Sequence, residues 1–72
     1  MSLPVAGMTR TAILAALRDD GFELPSACNP RAVAATVQLA ARAGLLYWGA
    51  DRLVSTLEGY PLELHRVRPA RR

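Results

Sequence analysis

Glu63 and His65 stand two residues apart, and a carboxylate beside an imidazole is the smallest pair that can pass a proton. On a strand, that spacing puts both side chains on one face. Acid–base chemistry also needs a nucleophile, a metal or a glycine-rich phosphate loop nearby, and the neighbouring Leu62, Leu64 and Arg66 supply none of them. The pair therefore reads as a surface pair. Cys28 is the one thiol in the chain. It can form no intrachain disulfide, which fits a reducing compartment. One cysteine and one histidine also fall short of the four ligands of a structural zinc site, so neither a metal nor a cofactor is expected. With no histidine beside it, Cys28 is expected to fill a small buried gap.

The remaining polar chemistry is concentrated in arginine. All nine basic residues are Arg, against six acidic ones, for a net charge of +3. The guanidinium is a rigid, always-charged fork that suits phosphates and guanine edges. GC-rich coding also favours Arg and Ala together, so part of this bias is compositional. The positive balance points to an acidic partner: nucleic acid, an anionic surface or an acidic protein. At about 100° per residue on a helix, Arg31, Ala35, Gln38 and Arg42 fall on one face and Val33, Val37 and Ala40 on the other. Arg pairs with guanine and Gln with adenine, so this face can enter a major groove. The plainer reading is a solvated helix face. Arg52, beside Asp51, can touch a nucleic-acid backbone or pair with its neighbour. Arg66, Arg68, Arg71 and Arg72 make a basic end that can neutralise phosphates without reading bases, or serve only to keep the chain soluble. Tyr47 and Trp48 are adjacent, so a strand sends them to opposite faces, one to the core and one to an interface or a stacking platform.

These residues need elements to hold them. With 72 residues the chain is expected to be one domain of marginal stability, for which self-association is a fair expectation. A walled catalytic pocket takes about 300 Å³ or more, and this chain has little material to enclose one, so no enzyme is expected. Residues 1–8 read as a loose N-terminal arm, 9–68 as the folded domain and 69–72 as a basic tail. Thr9 suits an N-cap for a helix from about Arg10 to Asp20, with Met8 and Ile13 as a hydrophobic staple and Gly21 as the stop. Asp19 and Asp20 stand at the unfavourable end of that helix dipole. Phe22 and Leu24 should drop into the core, and Pro25 to Cys28 offers one turn at most. Asn29 as N-cap, Pro30 at the first position and Gly44 as the stop define a second, Ala-rich helix over 30–43. Then come three strand-like runs, Leu45–Trp48, Leu53–Leu57 and Leu62–Val67, the last alternating Leu62 and Leu64 with Glu63 and His65. Ser55 with Glu58 also fits a capping box, so a short helix competes with the turn there. Met1–Gly7 has no signal-peptide pattern, and no apolar run approaches the roughly 18 residues that span a bilayer. A cytoplasmic location with no membrane contact is expected.

The stretch Thr36–Tyr60, TVQLAARAGLLYWGADRLVSTLEGY, resembles the second half of many small winged helix-turn-helix domains. Ala40, Gly44, Leu45 and the run Thr56-Leu57-Glu58-Gly59 stand where that pattern places its helix end, wing and closing strand. Ala40 replaces the larger apolar residue usual there, and the middle helix of the three is degenerate. The resemblance implies an α+β fold: two main helices, then a two- or three-stranded antiparallel sheet. It also implies a dimeric regulator of transcription or of a mobile-element process that binds duplex DNA. In that reading Arg31, Gln38 and Arg42 lie on the major groove, and Arg52, Arg66 and Arg68 grip phosphates. The alternative is a protein-interaction module of the same fold, such as a phage- or plasmid-type inhibitor or adaptor. The modest net charge, the apolar Leu45–Trp48 run and a strand edge left open after Leu62 favour it. Charge placement separates the two: one continuous Arg face favours DNA, and scattered Arg with a bare apolar patch favours a protein partner.

Overall fold

The computed structural model describes residues 5–69. The order of elements is a 3-10 turn Val5–Gly7, helices α1 (Arg10–Asp19) and α2 (Pro30–Arg42), and strands β1 (Leu46–Trp48), β2 (Arg52–Ser55) and β3 (Leu62–His65). The fold is α+β, two helices followed by a three-stranded antiparallel sheet, consistent with a small winged-helix-like domain.

Both helices begin and end on local chemistry. Thr9 Oγ1 accepts the Ala12 N–H at 3.1 Å, and Asn29 Oδ1 accepts the Arg31 N–H at 2.9 Å. Each satisfies a donor that the first helical turn leaves orphaned. At the other end both helices close in a Schellman motif. In α1, Gly21 donates to Arg18 O and Phe22 to Leu17 O; in α2, Gly44 donates to Ala41 O and Leu45 to Ala40 O. Gly21 (φ 85°) and Gly44 (φ 72°) supply the left-handed residue this motif requires.

The strands form a meander in the order β1-β2-β3, with Tyr47 opposite Val54, Leu53 opposite Leu64 and Arg52 opposite His65. That register sends Leu46, Trp48, Leu53, Ser55, Leu62 and Leu64 to the inner face. Tyr47, Arg52, Val54, Glu63 and His65 go to the outer one. The helices cover the inner face, where Ile13, Leu17, Phe22, Val33, Val37, Leu53 and Leu64 form the core. Among the described residues, no helix covers the outer face.

Two expectations are corrected. The loose arm over residues 1–8 does not hold for its second half, because Val5 is buried in the core and Met8 packs against it. Residues 1–4 lie outside the described residues, as do Arg71 and Arg72 of the tail. Cys28 is exposed and fills no gap: Leu24 is the last apolar anchor before α2, and Pro25–Cys28 is a surface turn closed by Cys28 N donating to Pro25 O at 3.1 Å. At Ser55 the expected turn forms and the competing short helix does not. Ser55 Oγ instead organises a tight loop, donating to Tyr60 O at 2.8 Å and accepting the Leu57 N–H at 3.3 Å, with Gly59 at φ 84°.

Candidate functional site

The polar face of α2 is not free. Gln38 is half-buried and its Nε2 donates to Met8 O at 2.8 Å. Arg42 is exposed and donates through Nε to Ala6 O at 3.3 Å, which leaves its two terminal amino groups outward. The 3-10 turn and Met8 thus lie along this face, and two of its three proposed base-reading side chains hold that segment by its carbonyls. Arg31 is exposed, with no side-chain hydrogen bond or ion pair among the described residues. Between Arg31 and Arg42 the exposed residues of α2 are Ala32 and Leu39, with Ala35 and Thr36 half-buried, and none of the four carries a charge.

Arg66 is committed more deeply. Its Nη2 donates to Asp20 Oδ2 and to Gly49 O, the latter at 3.2 Å. Its guanidinium carbon lies 5.0 Å from the centroid of the Phe22 ring, a cation–π contact. The two side chains of the ion pair are only 21 % and 24 % exposed. The same Asp20 oxygen accepts Trp48 Nε1–H, and Trp48 meets Phe22 edge-to-face with centroids 5.8 Å apart. One carboxylate therefore joins the end of α1, the end of β1 and the residue after β3. The Arg66 Nε–H is buried and unpartnered among the described residues. Arg68 donates to Arg18 O at 3.3 Å, placing a cation where the α1 dipole is negative.

Sequence reasoning placed Asp20 at the unfavourable end of the α1 dipole but gave it no partner. A signal existed: a carboxylate at a helix C-terminus is disfavoured by the dipole, which asks for a cation from elsewhere in the chain. The cation lies 46 residues on, beyond the reach of any local pattern.

The remaining side chains lie on the sheet. Trp48 turns inward and Tyr47 outward, so the adjacent aromatics divide as alternation requires, and Tyr47 is 55 % exposed. Its ring lies over Gly49, where a Cβ would collide with it. Arg52 sits on the outer face opposite His65, whose Nε2 is 3.2 Å from Glu63 Oε2. That pair is 68 % and 50 % exposed, and nothing encloses it. Among the described residues, no group of three or more His, Cys, Asp or Glu side chains is placed to hold a metal. No helix among them is long and apolar enough to cross a membrane.

The five arginines expected to act together are thus dispersed. Arg31 and Arg42 mark opposite ends of α2, about 16 Å apart along its axis. Arg52 is on the far side of the sheet from both helices, and Arg66 and Arg68 gather at the end of α1. In contrast, Leu45 and Tyr47 are exposed side by side at the β1 border. No family model, curated protein or solved structure matches the chain.

Proposed function

We propose that this chain is a small interaction module that binds a protein partner through the uncharged β1 side of its sheet. The observation that supports this reading is the commitment of its polar side chains. Gln38 and Arg42 bond the N-terminal segment, and Arg66 neutralises Asp20. A base-reading side chain must leave its donors free for a groove; Gln38 donates inside the fold through its amide nitrogen, and Arg42 is held at Nε and keeps only its terminal amino groups. What remains open on the β1 side is apolar: Leu45, Tyr47 and the half-buried Val54. An aromatic residue within an uncharged patch is the usual composition of the centre of a protein interface.

Duplex DNA binding is the second reading, and Arg31 and Arg52 favour it because both are exposed and unengaged. The two readings separate in one titration. Anisotropy of a labelled random duplex is followed with the chain at about 50 and about 200 mM salt. A binder making about four phosphate contacts loses roughly two decades of affinity between them. The interaction reading expects no such binding at either salt. Salt-sensitive binding that disappears in the Arg31→Ala, Arg52→Ala double variant would overturn it in favour of DNA.

A further inference from the structure

The two edges of the sheet are guarded unequally. Beyond β3, the segment after α1 pairs with the chain after His65. Val67 N donates to Gly21 O at 2.8 Å and Glu23 N to His65 O at 3.3 Å, around the Phe22–Arg66 bridge. Counting on from that bridge, Glu63 falls opposite Pro25, which has no N–H to give, and the pairing stops there. The rest of this edge carries the polar side chains of Glu63 and His65. The edge expected to stay open after Leu62 is therefore largely closed.

Among the described residues, the β1 edge has none of these protections. Gly49 N donates to Arg52 O and Leu45 O accepts from Thr56 N, so residues 45, 47 and 49 aim their backbone groups at β2. By alternation, Leu46 and Trp48 aim theirs away from the sheet. The six residues Leu45–Ala50 hold neither a charge nor a proline, the features that usually keep an edge from pairing.

We propose that β1 pairs antiparallel with β1 of a second copy of this chain, about a two-fold axis at Tyr47, joining two three-stranded sheets into one of six strands. This rests on the protein-interaction reading and names the partner. In this register Leu46 of each copy faces Trp48 of the other, and the outward N–H and C=O groups of both residues meet in four backbone hydrogen bonds. The strand also supplies its own side-chain complement. The two exposed Tyr47 residues stand directly opposite each other as a non-hydrogen-bonded pair, where side chains approach most closely. Leu45, also exposed, falls opposite the small Gly49 of the second copy, beside the Tyr47 ring that covers it. The stripe Val54–Tyr47 continues across the axis into Tyr47–Val54, so two small apolar patches become one. The contact is isologous and closes at two copies. Because β1 is only three residues long, the junction is at the small end of interfaces and the dimer exchanges with monomer.

Disulfide trapping tests the register. In the Cys28→Ser, Tyr47→Cys chain the two introduced thiols face each other across the axis with Cα atoms about 4.5 Å apart, within disulfide reach. In the Cys28→Ser, Val54→Cys chain they are three strand spacings apart, about 14 Å, and out of reach. The expected result is a covalent dimer from the first chain on mild oxidation and none from the second. Equal crosslinking of both chains would mean face-to-face packing and would overturn the proposal. Sedimentation equilibrium of the unaltered chain from about 10 µM to about 1 mM provides the second measurement. It should show reversible dimerisation that Tyr47→Lys weakens about tenfold or more, with unchanged circular dichroism. A chain that stays monomeric throughout, or a dimer indifferent to Tyr47→Lys, overturns the proposal. The duplex titration above judges the interaction reading separately, so failure of one is not failure of the other.

Discussion

Two sets of side-chain bonds hold distant parts of this chain together, and they differ in kind. At the end of α1, Asp20 is shared by Arg66 and Trp48, and Phe22 lies against both partners. This clamp is a charged, mostly buried contact with an aromatic wall. Along α2, Gln38 and Arg42 hold the carbonyls of Met8 and Ala6. This strap is a pair of neutral-acceptor bonds near solvent, anchored below by Val5 in the core. Removing one partner of a desolvated ion pair strands the other charge, whereas a carbonyl at the surface can turn to water. The clamp should therefore be costly to break and the strap cheap.

The largest expected effect is at Asp20. Asp20→Ala leaves the Arg66 guanidinium without its counter-charge and Trp48 Nε1–H without its acceptor, a loss of about 3 kcal/mol. At roughly 4–8 °C per kcal/mol for a domain of this size, thermal unfolding followed by circular dichroism should shift down by about 12–24 °C. Gly21→Ala attacks the same end through the backbone. Gly21 sits at φ 85°, and a Cβ there would run into the Arg68 carbonyl, so a loss of about 2 kcal/mol is expected in urea unfolding. Gln38→Ala should lose about 1 kcal/mol, and hydrogen exchange should show it first at the Met8 amide, which bonds Val5 O. Arg42→Ala, which loses one long and exposed hydrogen bond, should stay within about 0.5 kcal/mol. If Gln38→Ala proves as damaging as Asp20→Ala, the distinction between clamp and strap collapses.

What the sequence disclosed follows the same division between near and far. The limits of α2 are written within four residues of its ends, in Asn29, Pro30 and Gly44, and the structure reproduces them. The two faces of β3 follow from strict alternation in Leu62–His65, and the split between Tyr47 and Trp48 follows from adjacency. These are signals of period and capping, readable over a few residues. The strap was not legible, because residues 1–8 read locally as a loose arm while the burial of Val5 depends on a helix some thirty residues away. For the same reason Gln38 and Arg42 read as free: their spacing fixes the face they share, and says nothing about what lies on it. Arg66 read as part of a basic tail because its partner is Asp20.

The sheet is a meander in which each strand pairs with the next in sequence, so its hydrogen bonds form between near neighbours along the chain. The clamp spans 46 residues, against 30 and 36 for the two bonds of the strap. Short loops close early and long ones late, since chain entropy must be lost before the contact gains anything. The hairpins therefore assemble first and Asp20 docks last, after the rate-limiting barrier has been crossed. In stopped-flow experiments Asp20→Ala should leave the refolding rate nearly unchanged and express its cost as faster unfolding, which makes this one carboxylate the latch on the lifetime of the folded state.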